Sequence, residues 1–205
     1  MRLASNKLIV ATKNKGKVQE FAHAFASMGI EVESLLNYPG IPDIVEDGDT
    51  FAANAEIKAR AIAERFRLPV LADDSGLCVD ALGGAPGVYS ARYAGEGATD
   101  ADNNAKLQRE LLALGGERAA GEPLSPARFV SALVLVEPDG GRRFAAEGEA
   151  AGAILAEPRG SGGFGYDPYF LVPEFGRTMA ELTVDEKNRI SHRGKALRAL
   201  LEQLK

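Results

Sequence analysis

Cysteine is nearly absent from this 205-residue chain: Cys78 stands alone, so no internal disulfide can form. Two histidines cannot build a histidine-rich metal site. No long hydrophobic run exists either. The best uncharged apolar stretch, Phe129 to Val136, has the length of a strand and falls far short of the ~20 residues that a membrane helix needs. Near the N-terminus, Leu8 to Ala11 is too brief for the apolar region of a secretory signal. These absences lead to the expectation of a cytoplasmic protein with no membrane partner. Positive charge is not in excess: 24 Lys and Arg stand against 29 Asp and Glu, a net charge of −5, which argues against a nucleic-acid coat. No serine lies in a G-x-S-x-G elbow and no H-E-x-x-H occurs, so two common hydrolase chemistries lack their residues.

What is present has the composition of a globular protein, with 45% hydrophobic and 26% charged residues. Lys7 to Thr12 reads as a buried strand, and Val18, Phe21, Ala22 and Phe25 recur at helical spacing up to Gly29. Ile30 to Leu36 reads as a second strand. Phe51, Ala55, Ala59, Ile62 and Phe66 make one face of a helix capped by Asp49 or Thr50. Pro69 to Ala72 reads as a strand ending at Asp73-Asp74-Ser75-Gly76, with Leu77 to Leu82 as a returning hairpin arm. Gly83 to Gly97 reads as an ordered loop, Thr99 or Asp100 to about Leu114 as a helix, and Arg118 to Pro126 as a mobile connection. Ala127 to Val136 and Arg142 to Ala150 suit a hairpin around Pro138-Asp139-Gly140-Gly141. A helical turn over Thr183 to Ile190 and a helix carrying Leu197, Leu200 and Leu204 close the chain. The expectation is a single α/β domain over residues 1–205 with a mixed sheet.

Four stretches carry groups suited to chemistry. Thr12-Lys13-Asn14-Lys15-Gly16-Lys17 lies at a strand-to-helix junction, where unpaired amides and lysines suit an anion; a solvated basic turn is the alternative. It is not a Walker loop, because Val18 stands where that motif has Ser or Thr. Asp73-Asp74-Ser75-Gly76 offers carboxylates at a strand end, and adjacent residues of a strand point to opposite faces, so one Asp faces a site. A hard cation takes one or two carboxylates plus water and phosphates, and Glu46, near Asp47 and Asp49, is a source for the second. A simple Asx turn is the competing reading. Gly160 to Pro168 contains G-x-G-x-x-G but leads into an apolar β-like run instead of a helix, so it suits a loop presenting Phe164 or Tyr166 for base stacking with Asp167 as anchor. Ser191-His192-Arg193-Gly194-Lys195, preceded by Lys187, offers forked and point charges for phosphate or base oxygens.

Together TKNKGK at 12–17, TFAANAEIKA at 50–59, ADDSGLCVDALGGAPGVYSARYAG at 72–95, GGFGYDP at 162–168 and SHRGKAL at 191–197 resemble, in order and over nearly the whole chain, the inosine triphosphate pyrophosphatase family of Ham1-like proteins. Ala53 departs from the pattern, since many bacterial members carry Glu before Asn-Ala. The resemblance implies an elongated mixed sheet flanked by helices, with two lobes and a central substrate cleft, assembled as a homodimer. It implies Mg2+-dependent cleavage of non-standard purine triphosphates (ITP, dITP, XTP) to the monophosphate and pyrophosphate, with no nucleic-acid partner. Carried over by position, Thr12, Lys13, Asn14, Lys15, Gly16 and Lys17 hold the triphosphate. Asp74 is the catalytic carboxylate and metal ligand, and Ser75 a substrate contact. Glu46 is the second metal ligand, with Asp47 and Asp73 as alternatives. Phe164, Gly165, Tyr166, Asp167, Lys187, His192 and Arg193 surround the nucleotide, with Phe164 stacked on the base. A house-cleaning pyrophosphatase for other modified nucleotides and a non-catalytic nucleotide-binding module are the alternatives.

Overall fold

The computed structural model describes residues 3, 5–26, 28–42, 44–115 and 121–205. Its elements are β1 (Lys7–Val10), α1 (Lys15–Ala26), β2 (Glu31–Ser34), α2 (Phe51–Phe66), β3 (Val70–Val79), α3 (Asp100–Ala113), β4 (Ser125–Val136), β5 (Arg143–Ile154), β6 (Phe170–Val172), β7 (Arg177–Thr178), α4 (Val184–Ile190) and α5 (His192–Gln203). Among the described residues seven strands form one sheet, in the order β2-β1-β3-β4-β5-β6-β7. The sheet is mixed: β1 is parallel to β2 and β3, whereas β6 is antiparallel to β5 and β7. The chain divides into two compact units, one of Met1–Asp74, Ser131–Gly148 and Arg193–Lys205, the other of Ser75–Val130 and Glu149–His192. No described helix is long and apolar enough to cross a membrane.

In the first unit, strand alternation assigns the two faces of the sheet. Leu8, Val10, Leu71, Leu133 and Leu135 pack with Phe21 and Phe25 of α1 and with Leu197 and Leu200 of α5. Ile9, Val70, Ala72 and Val134 pack with Ala55, Ala59 and Ile62 of α2. Cover on both faces explains why β1 reads as a continuous apolar run. Asn14 caps α1, its Oδ1 accepting the Lys17 N–H at 3.1 Å. Thr50, rather than Asp49, caps α2 by accepting the Ala53 N–H, and Arg67 ends that helix in the left-handed region at φ 54°.

The hairpin expected after Asp73-Asp74-Ser75-Gly76 is absent. β3 runs unbroken for 10 residues through that tetrapeptide, and a short 3-10 turn, Asp80–Leu82, follows it. The turn reading assumed that Asp and Ser would bond their own backbone. Instead the Asp73 carboxylate, on a residue 2% exposed, is consumed by distant groups. Its Oδ1 accepts the Ser131 hydroxyl at 2.9 Å, and its Oδ2 accepts Lys17 Nζ and Arg193 Nε, each at 2.9 Å. Arg193 also donates from Nη1 to Glu20 at 2.7 Å. The cluster thereby ties α1, β3, β4 and α5 together. Burial by itself would raise the Asp73 carboxyl, but the charges of Arg193 and Lys17 and the bonds from Lys17 and Ser131 hold it well below the usual carboxylate range.

The second unit is built on Leu77 and Val79 of β3, Phe129, Ile154 and Phe170, covered by Leu107 and Leu111 of α3. The Phe129 and Phe170 rings lie 4.4 Å apart. Gly152 is required where β5 meets β6: an added Cβ would stand 2.4 Å from both the Leu171 carbonyl oxygen and Phe170 Cε1. The expected second strand is shorter than Ile30 to Leu36, because Ser34 caps a 3-10 turn over Leu35–Asn37. β5 continues past Ala150 as one strand and ends at Ile154. The loop expected over Gly83 to Gly97 contains a six-residue 3-10 segment, Gly87–Arg92. Residues 118–120 of the expected mobile connection lie outside the described residues.

Two stability predictions follow from this packing. Gly152→Ala overpacks the β5–β6 contact and is expected to lower unfolding free energy by about 1–3 kcal/mol in urea titration. Arg193→Ala leaves Asp73 charged and buried without its main partner and is expected to cost about 3–5 kcal/mol. Arg193→Lys restores only part of that loss, because one ammonium cannot reproduce the guanidinium fork between Asp73 and Glu20. Unchanged stability in Arg193→Ala would instead show that Asp73 does not depend on Arg193.

Candidate active site

Thr12, Lys13 and Asn14 form the junction between β1 and α1, and Lys15, Gly16 and Lys17 the first turn of α1. Thr12 Oγ1 accepts the Asn14 N–H at 3.1 Å, which bends the chain into the cap. With the Lys17 amide taken by Asn14, the Lys15 and Gly16 amides remain outside the intrahelical ladder at the positive end of the helix dipole. Lys13 and Lys15 are exposed there, and Lys13 Nζ donates to the Ile41 carbonyl at 3.2 Å. Lys17 differs: burial lowers its pKa and its ammonium is engaged with Asp73. The junction therefore offers an anion two amides and two exposed cations.

Because Asp73 faces α1 and α5, the alternation of β3 turns Asp74 toward α2. There Lys58 Nζ lies 3.4 Å from Asp74 Oδ1 and 3.2 Å from Glu46 Oε1, and donates to the Asp73 carbonyl at 3.1 Å. Lys58 thus links the strand carboxylate to the acidic stretch around Glu46. That stretch is held by Asn54, whose Oδ1 accepts the Gly48 N–H at 2.8 Å. Burial pushes the Asp74 carboxyl up to about 6; the Lys58 charge opposes the rise and the Glu46 charge adds to it. Asp74 Oδ2 is buried without a hydrogen-bond partner. An acceptor of this kind, with a second carboxylate on the same lysine, fits a divalent cation. Among the described residues no group of three or more His, Cys, Asp or Glu could hold a metal ion. Water and further oxygen ligands would complete the shell of such a hard cation.

The second unit gathers another group. Asp167 Oδ2 accepts the Phe164 N–H at 3.0 Å and Lys187 Nζ at 2.8 Å, and Lys187 Nζ stands 4.9 Å from the Phe164 ring centre. Gly163 makes this turn possible. Its φ is +74°, and a Cβ there would meet Asp167 Oδ2 at 2.1 Å. Gly165 follows in the same loop, and Tyr166, buried, donates its hydroxyl to the Ser90 carbonyl at 2.8 Å. His192 is buried with its ring stacked on Phe129, centres 4.8 Å apart. Ser75 opens the second unit, immediately after Asp74.

The structure therefore brings together Glu46 and Asp74 through Lys58, Lys17 and Arg193 through Asp73, and Phe164, Asp167 and Lys187 directly. Lys58 escaped sequence reasoning, although a signal existed: it interrupts the apolar face formed by Ala55, Ala59 and Ile62. Ser131 and Glu20 were missed for a different reason, since their partners lie 58 and 173 residues away along the chain.

The chain is similar to known proteins in sequence and in fold. The Ham1 family profile covers residues 8–203. A dITP/XTP pyrophosphatase of Geobacillus kaustophilus is 56% identical over 198 residues, 96% of this chain and 93% of that protein. One of Geobacter sulfurreducens is 50% identical over 198 residues, 97% of this chain and 96% of its own. A solved HAM1 protein from Coxiella burnetii superposes with a TM-score of 0.83 at 42% identity, covering 97% of this chain and 98% of that one. The Staphylococcus aureus Ham1 protein gives a TM-score of 0.79 at 38% identity, covering 97% and 100%. Matched from β1 to the end of α5 in sequence and over nearly all its length in structure, the chain belongs to the Ham1 family.

Proposed function

We propose that this chain hydrolyses dITP and XTP, and ITP with them, to the nucleoside monophosphate and pyrophosphate, removing non-standard purines from the nucleotide pool. Relatives about half identical over nearly their whole length carry the name dITP/XTP pyrophosphatase. The observation that carries the reading is Asp74, a buried carboxylate with one oxygen on Lys58 and the other free of protein donors. Asp74 and Glu46 would hold a divalent cation, Mg2+, which when bound would supply charge neutralisation at the phosphoryl oxygens and an ordered water. Asp74 Oδ2, with no protein donor on it, suits holding that cation or taking the proton of the attacking water. The Lys58 charge offsets the repulsion between Asp74 and Glu46. The Lys15 and Gly16 amides, with Lys13 and Lys15, suit the negative charge that builds on the leaving pyrophosphate.

Base choice rests on the second unit. Phe164 offers a ring face, with Lys187 and Asp167 fixing its loop. Hypoxanthine and xanthine share a 6-oxo group and an N1–H, a pattern that adenine reverses, and a site built on that edge rejects the mismatch because its polar groups go unpaired. Guanine shares the edge and must be refused at its 2-amino group. Ser75, Gly165, Tyr166, His192 and Arg193 enter this reading through the family resemblance. A homodimer working in the cytoplasm belongs to the same reading, and a lone buried Cys78 suits a reducing compartment.

Product analysis with Mg2+ across dITP, XTP, ITP, ATP, GTP and the pyrimidine triphosphates tests the reading. Pyrophosphate released from the first three, with ATP and GTP nearly inert, is the expected result. Inorganic phosphate as product, or binding without turnover, would overturn it. Asp74→Asn is expected to lower kcat by about 10²–10⁴. The same substitution should stabilise the metal-free protein at neutral pH, because the raised pKa means that the ionised carboxylate is disfavoured by folding. The sign fixes the window: the advantage of Asn is absent below the ordinary value of 3.8, grows as pH rises, and is complete above about 6. Thermal melts in chelator at pH 4 and pH 7.5 measure it.

A further inference from the structure

We propose that Asp100 and Asn104, on the first turns of α3, are positioning residues that fix the Phe164–Asp167 loop for purine binding. The inference rests on the reading of this chain as a purine triphosphate pyrophosphatase with Phe164 against the base. Within the loop, Asp167 and Lys187 restrain the Phe164 side of the turn. The residue between Phe164 and Tyr166 is Gly165, at φ +61°, the most freely rotating kind of residue. Both of its peptide groups are held by α3. The Gly165 N–H donates to Asp100 Oδ2 at 2.7 Å, and the Gly165 carbonyl accepts from Asn104 Nδ2 at 2.9 Å. The second hydrogen of that amide goes to the Asp100 carbonyl, also at 2.9 Å, so the Asn104 side chain is locked on its own helix.

The cap of α3 is made by other residues. Thr99 and Asp102 already form the capping box of α3, each satisfying the other's backbone N–H. Asn is an unfavourable residue inside a helix, and Asn104 is buried there. What the two side chains do is grip one glycine of a neighbouring loop. α3 grips a second segment in the same manner: Asn103 accepts the Ala94 N–H at 2.8 Å and donates to the Ala91 carbonyl at 3.2 Å. Tyr166 is in turn anchored on Ser90. The helix thus acts as a rigid shelf from which the loop is hung at Gly165 and Tyr166. A loop held in this way loses little freedom when a base docks on Phe164, so the clamp should act on substrate binding more than on the chemical step.

The test measures Asp100→Ala, Asp100→Asn and Asn104→Asp with dITP and XTP, beside hydrogen exchange of the free proteins. Asp100→Ala is expected to speed exchange at the Gly165 amide and to raise KM about tenfold, the factor for one lost hydrogen bond to a charged group. Its kcat should stay within about twofold of wild type, the signature of lost ground-state positioning. Asn104→Asp keeps the shape, loses the donor and should likewise raise KM. Asp100→Asn retains an acceptor oxygen and should restore both exchange and KM. Faster exchange at Gly165 with KM unchanged overturns the inference, as does a fall in kcat and melting temperature that Asp100→Asn does not rescue. Wild-type protein that cleaves neither triphosphate overturns the functional reading instead, so the two failures are told apart.

Discussion

The first unit depends on one buried ionic contact. Asp73 lies inside the protein with a full negative charge, and a carboxylate there is tolerable only because Arg193, Lys17 and Ser131 all reach it. Those partners come from three different elements, so the contact fixes α1, β4 and α5 against β3 at the same moment. It also settles the state of Lys17, which sequence reasoning assigned to phosphate and which the structure finds paired with a carboxylate.

From that anchor the candidate chemistry follows by strand geometry. Adjacent residues of a strand face opposite ways, so holding Asp73 toward α1 and α5 delivers Asp74 to α2. One carboxylate is saturated with donors and the other is left with an unpartnered oxygen. Their proton affinities separate accordingly: Asp73 is held far below the ordinary range, while burial lifts Asp74 to about 6. Two identical side chains, side by side in sequence, have become a saturated structural ion and a carboxylate with one unpartnered oxygen.

The second unit solves a different problem, holding an aromatic ring in a glycine-rich segment. Gly163 allows a turn tight enough for Asp167 to reach the Phe164 amide, and the same Asp167 oxygen takes Lys187. The glycines that permit the turn would also leave it loose, and the side chains of α3 supply the restraint.

The sequence by itself determined the element types and the chemical inventory. The apolar run at Leu8 to Val10, the helical spacing of Ala55, Ala59 and Ile62, and the leucines of α5 specify their structures through local periodicity, which needs no tertiary information. The order of five short motifs was enough to point to the family. Only the tertiary structure decided that β3 continues through Asp73-Asp74-Ser75-Gly76, since the turn signal there is local whereas the groups that defeat it are 58 and 120 residues distant. Lys58 and Asn104 stayed hidden for a related reason. Each is a polar residue within a helix, and its value lies in what it touches across the fold, a relation that periodicity does not record.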